Sequence, residues 1–146
     1  MEKKLIIGSD HAGFELKEEI KKRLTREGLE VEDAGTHSAA QTDYPQYAKI
    51  VSKAILAKKF NKGILVCGTG LGMCYTANRF KGIRAALCTT KELAEMASRH
   101  NNANVLCLGG RTTSPDLSME IIKTWLSTPF EGGRHEKRIN MIDEEN

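Results

Sequence analysis

No apolar run in this chain of 146 residues approaches the roughly 20 residues that a bilayer span requires. The start, Met1 to Gly8, has only three consecutive apolar residues, Leu5, Ile6 and Ile7, so neither a signal peptide nor an anchor is expected, and no membrane partner. Aromatic residues are scarce, at 5 %, and there is no Lys/Arg-rich run of the kind nucleic-acid binders show; both argue against nucleic acid, although the net charge is +3. Cys67, Cys74, Cys88 and Cys107 include no CxxC pair, so no structural zinc and no disulfide frame are expected, and reduced thiols in a cytoplasmic protein are. Repeats, low-complexity tracts and linkers are also missing. The length suffices for one core but not for two enzyme domains, giving a single domain over 1–146. The mildly basic, interspersed charge suits an anionic small molecule.

What is present centres on Gly63 to Gly72, GILVCGTGLG. Five residues of buried-strand type end at Cys67 and run into a glycine-rich turn holding Thr69, where a helix begins. The unsatisfied amides and partial positive charge of a helix start favour anions and thiolates. The plainer alternative is a tight turn served by Gly68, Gly70 and Gly72, with Cys67 a small buried hydrophobe.

Around it, strands are expected at Lys4–Ile7, Leu29–Asp33, Gly63–Cys67, Arg84–Cys88 and Asn104–Leu108, with the acids of the second marking an edge. Helices are expected over about 13–27, stopped by Gly28; after Tyr44-Pro45, with Tyr47, Ile50, Val51, Ala54 and Ile55 on one face; after the decamer to about Arg79; from Lys91, capped by Thr90; and from Ser114-Pro115. A last helix follows the Gly132-Gly133 hinge over about 134–144 and is expected at a dimer interface. Strands alternating with helices imply an α/β fold with a parallel sheet covered on both faces. Ligands in such folds bind outside the carboxyl ends of the strands, where Asp10, His11, Cys67, Thr69 and Arg111 fall.

Each candidate has a plainer role beside the chemical one. Asp10 and His11 suit a helix cap, Tyr44 a loop anchor, and His100 with Asn101 a helix end whose dipole favours a cation. His37 and His135 read as surface residues. Arg134 and Arg138 are like charges four apart, which costs an isolated helix about 0.2–0.5 kcal/mol, so a bound anion between them would explain the pattern. His100 precedes the fifth strand and is therefore expected at the amino edge of the sheet, opposite Cys67; if catalytic, it acts across a dimer interface.

GSDHAGFELK at the start, DYP at 43–45, CGTGLGM at 67–73, ANRFKGIRAALC at 77–88, SRHNNANVL at 98–106 and GGRHEKR at 132–138 together make the chain closely resemble ribose 5-phosphate isomerase type B, almost end to end. The resemblance implies a three-layer Rossmann-like α/β/α fold with five parallel strands, a homodimer or dimer of dimers with sites between subunits, and no metal or other cofactor. It implies interconversion of ribose 5-phosphate and ribulose 5-phosphate in the pentose phosphate pathway of carbohydrate metabolism. On it, Cys67 is the base that moves a proton between C2 and C1, assisted by Thr69, while Asp10 and His100 open the ring. His11, Arg111, Arg134 and Arg138 hold the phosphate; Tyr44, Asn101 and the Gly68, Gly70 and Gly72 turn line the sugar and stabilise the enediolate. Some relatives use instead an acidic base just after the glycine loop, where this chain has Met73. Cys74 and Tyr75 depart from the small or aliphatic residues expected there.

Galactose 6-phosphate isomerases divide these residues between two chains, which favours ribose here, with allose 6-phosphate as the other alternative. A low-molecular-weight phosphatase needs an arginine where Met73 stands. A non-catalytic nucleotide or sugar phosphate binding module lacks a Walker lysine and would leave Cys67 without a task.

Overall fold

The computed structural model describes residues 1–145. The expected single domain reached residue 146, which lies outside them. Five strands, β1 (Lys4–Ser9), β2 (Glu30–Asp33), β3 (Gly63–Cys67), β4 (Ala85–Leu87) and β5 (Val105–Gly109), form one parallel sheet in the order β2-β1-β3-β5-β4. Among the described residues six helices connect and cover them: α1 (Phe14–Arg26), α2 (Tyr44–Leu56), α3 (Leu71–Ala77), α4 (Lys91–Arg99), α5 (Pro115–Ser127) and α6 (Arg134–Asn140). β2 is an edge strand, as its alternating acids predict. α6 stops short of the expected 144, and α3 ends before Arg79.

The pleat divides the core between two faces. Leu5, Ile7, Ile64, Val66, Leu106 and Leu108 join Leu16, Ile20 and Leu24 of α1, Ala94 and Ala97 of α4, and Ile121, Ile122 and Trp125 of α5. Their neighbours Ile6, Leu65, Cys67, Val105 and Cys107 join Ala48, Val51 and Ile55 of α2 and Met73 and Ala77 of α3. Each large aliphatic side chain taken out of water contributes about 1.5–3 kcal/mol, so these two seams fix the layer order. The helices start where their caps dictate: Thr90 Oγ1 accepts from Leu93 N at 3.2 Å and Ser114 Oγ from Leu117 N at 3.2 Å. Ile50 does not join the buried face of α2. It is 47 % exposed, because Ala48, Val51, Ser52 and Ile55, at the 3–4 spacing of one helix face, fill the contact with the sheet.

β1 and β3 are adjacent, and the connections that leave them run to opposite sides of the sheet. The carboxyl ends of these two strands therefore flank the topological switch point, where such folds leave a crevice.

Candidate active site

A cavity of about 310 Å³ opens at that switch point, lined by Asp10, His11 and Ala12 after β1, Cys67, Gly68 and Thr69 after β3, Gly72 and Tyr75 on α3, Tyr44 on α2, and Arg111 after β5. A larger, shallower groove of about 740 Å³ follows the outer face of α1, but it is lined mostly by the charged side chains Glu15, Glu18, Glu19, Lys21 and Lys22 and holds no thiol or imidazole. The chemistry lies in the smaller cavity.

Local hydrogen bonds hold the cavity's walls. Gly110 N donates to Cys67 O at 2.7 Å and Arg111 N to Gly68 O at 2.9 Å, tying the loop after β5 to the glycine turn. The Arg111 guanidinium then lies over Gly68, its Nη1 only 3.1 Å from where a Cβ would stand. Gly70 has φ +83, a left-handed conformation that favours glycine, and this turn directs Gly70 N at the Cys67 sulfur, 3.2 Å away. The thiol therefore accepts a backbone hydrogen bond that fixes the sulfur at the end of β3. The sugar-lining role expected of Gly70 is better described as support for the sulfur, since Gly70 is buried behind the wall that Gly68 and Gly72 line. At Gly72 a Cβ would stand 2.5 Å from the Tyr44 ring, so glycine there lets α3 seat the tyrosine against the cavity.

Asp10 is buried, and its Oδ1 accepts from Gly13 N at 3.0 Å; Gly13 is itself the N-cap of α1, which no side chain caps, so Asp10 braces the turn before the helix while it also lines the cavity. His11 Nδ1 lies 3.2 Å from both Thr42 N and Thr42 O, so the backbone at Thr42 holds the ring, and whichever contact Nδ1 makes leaves Nε2 the opposite role. Thr69 Oγ1 accepts from Leu71 N at 3.3 Å, leaving its own proton free to donate. Met73 is fully buried and offers the cavity nothing.

Four expected site residues lie elsewhere in the chain. His100 follows α4 at the amino edge of the sheet, where its ring stacks on His135 with centroids 4.2 Å apart and 11° between planes. Glu131 stands beside both rings, 3.8 Å from His100 Nε2 and 3.7 Å from His135 Nε2, and Arg134 Nη1 lies 3.7 Å from the same carboxylate. Arg138 is exposed one turn further along α6. Asn101 lines a separate cavity with Asn78, Arg84 and Ile142. The chain thus carries two groups of candidates: a Cys67 group at the carboxyl edge, and a group at the amino edge containing His100, Arg134 and Arg138.

His135 corrects its reading as a surface residue. It is 7 % exposed, because the segment after α5 folds back, with Glu131 N on Arg99 O at 2.9 Å, and sets α6 against the end of α4. Desolvation and the neighbouring Arg134 charge lower the pKa of its imidazole. His37 is exposed, as expected. Cys74, also outside the main cavity, is half-buried, with a pKa pulled down to about 7 chiefly by the Cys107 thiol beside it. Cys107, fully buried, is pushed well above the usual thiol range by that same contact and by desolvation. His135 lies within the GGRHEKR segment and Glu131 directly before it, but neither had any further signal in the sequence.

Residues 5–142 match the ribose/galactose isomerase family. The chain is 44 % identical to ribose-5-phosphate isomerase B of Escherichia coli, over 96 % of this chain and 94 % of that one. A crystal structure of a ribose 5-phosphate isomerase from Thermotoga maritima superposes with a TM-score of 0.96 at 56 % identity, covering 97 % of this chain and 98 % of that one. The ribose-5-phosphate isomerase B of Mycoplasma genitalium, solved with bound ribulose-5-phosphate, gives 0.89 at 40 % identity, covering 95 % and 93 %. Fold, cavity and likeness over nearly the whole length agree: the chain belongs to the ribose/galactose isomerase family.

Proposed function

We propose that this protein interconverts ribose 5-phosphate and ribulose 5-phosphate through an enediolate, as a homodimer in the cytoplasm. Each site would combine the Cys67 edge of one subunit with the His100 end of the other. The observation that carries this reading is the Cys67 sulfur, held by Gly70 N–H in a cavity that also presents an acid, an imidazole and a guanidinium. The ribulose-5-phosphate held by the Mycoplasma genitalium relative supports the substrate class. The dimer is supported by apolar side chains left in water, among them Tyr75 at 63 %, Leu93 at 49 % and Ile142 at 60 % exposed.

In this mechanism Asp10 and His100 of the partner subunit open the furanose ring. The Cys67 thiolate then takes the C2 proton of the open-chain aldose, the electron pair forms the C1=C2 bond, and charge gathers on O1. The thiol returns the proton to C1, while the Thr69 hydroxyl passes the O2 proton towards O1, leaving a ketone at C2. Fixed donors at the developing oxyanion, here the amides of Gly68 and Gly72, are each worth about 10²–10³ in rate in comparable sites. His11 and Arg111, with Arg134 and Arg138 of the partner subunit, grip the phosphate, so binding remote from the reaction orients C1 and C2 against the sulfur. Tyr44 and the partner subunit's Asn101 complete the sugar's walls. Turnover of ribose 5-phosphate, beside allose 6-phosphate and galactose 6-phosphate, tests the reading. Ribose 5-phosphate is expected to give the highest kcat/KM, and preference for a hexose phosphate would overturn the substrate assignment.

A further inference from the structure

His100, Glu131 and His135 place two imidazole nitrogens and a carboxylate within 4.8 Å of one another, a donor set suited to zinc. The second observation is His135 itself. Its side chain is 9 % exposed, and Nε2 is buried without a hydrogen-bond partner while facing Glu131 Oε1 at 3.7 Å. A buried polar nitrogen left in this way costs stability unless something satisfies it. We propose that His100, Glu131 and His135 bind a divalent transition ion of the zinc class, and that an ion held there withdraws His100 from the isomerase reaction. The second clause rests on the proposed ring-opening role of His100; the first does not.

Ligand atoms around tetrahedral zinc stand about 3.3 Å apart, given bonds of about 2.0–2.1 Å, whereas these three lie within 4.8 Å of one another, so the group has to close on the ion by side-chain rotation. The stacked rings cannot both aim at one ion as they stand. His100 is the freer of the two, with 34 % of its side chain exposed against 9 % for His135, so it is the ring that tilts. Glu131 is anchored through its own amide to Arg99 O and keeps its carboxylate at the mouth of the group. Arg134, 3.7 Å from Glu131 Oε1, is the cation that the ion displaces. Three protein donors leave a fourth position to water, an open site.

Competition between the full-length protein and a chromophoric zinc chelator reads binding without reference to turnover. One zinc per chain is expected, with affinity falling at least about tenfold in His135→Gln and in Glu131→Gln, and unchanged when Cys67 and Cys74 are both replaced by Ser. Unchanged affinity in both ligand variants, or loss in the thiol variant, overturns the site. Cobalt added to the unaltered protein guards against a variant that misfolds: visible d–d bands without a thiolate charge-transfer band are expected, and a thiolate band refutes the assignment. Initial rates should fall in step with zinc occupancy and recover on chelation. Full turnover with the site occupied would overturn the inhibitory link, whereas a zinc-free protein with no turnover would count against the isomerase reading instead.

Discussion

Mixing two inactive variants offers a sharp test of how the two groups of candidates meet. Val105 pairs with Gly63, four residues before Cys67, so at about 3.3 Å per residue the start of β5 lies about 13 Å from Cys67 along the strand axis. His100 is five residues earlier still. A five-carbon sugar cannot touch both side chains of one subunit across that sheet. Cys67→Ala and His100→Asn homodimers should each be inactive or nearly so. When equal amounts are dissociated and reassembled at random, half the dimers are mixed. Each mixed dimer holds one site with an intact Cys67 facing an intact His100, and one site lacking both, so activity should return to about a quarter of the unaltered enzyme's. The assay is ribulose 5-phosphate formation before and after reassembly, with mixed dimers counted by native mass spectrometry. If mixed dimers form and activity stays at the level of the parents, His100 does not act across the interface.

Three further outcomes follow from the geometry. Lys17 is fully buried with Asp33 at 2.7 Å and keeps only the more exposed Glu18 if that partner is lost, so Asp33→Asn should cost about 3 kcal/mol, read from urea midpoints. Burial alone would raise the Asp33 pKa, but hydrogen bonds from Lys17 and Lys21 outweigh it and hold the value below the usual range. The stabilisation is therefore complete above about pH 4 and disappears as pH falls through the folded value; an unchanged acid limb in the variant would contradict this. Gly72→Ala should displace the Tyr44 ring, the movable end of a side chain 37 % exposed, and lower kcat/KM about 10–100-fold with little change in Tm; unchanged kcat/KM would remove Tyr44 from the site. Alkylation of Cys74 by iodoacetamide, followed by peptide mass spectrometry, should rise with pH through about 7 while Cys107 stays unmodified, and labelling of Cys107 first would refute the assignment.

Local rules made most of this architecture readable. Apolar runs ending at Ile7, Cys67 and Leu108, with Thr90 and Ser114 as caps, mark strands and helix starts whose chemistry is confined to neighbouring residues; β1 and β5 extend past the first and last of these runs, to Ser9 and Gly109. The carboxyl-edge group followed, because the ends of parallel strands must converge: Asp10, His11, Cys67, Thr69 and Arg111 share one cavity. The burial of His135 was not readable, because it depends on the fold-back at Glu131, and no periodicity within GGRHEKR encodes contact with residues some 35 positions earlier. Ile50 misled for a related reason: an apolar residue beside the stripe of a helix counts as core only if the helix turns that way, and Val51 and Ile55 set the turn.

The central claim is that the Cys67 sulfur carries the proton between the two reacting carbons. Turnover of ribose 5-phosphate in D₂O, by the unaltered enzyme and by Cys67→Ala, measures it directly. Deuterium should enter C1 of the ribulose 5-phosphate formed by the unaltered enzyme, and the Cys67→Ala rate should fall by about 10²–10⁴ with the fold and the dimer intact. A Cys67→Ala enzyme that kept full turnover would contradict the account and direct attention to Cys74.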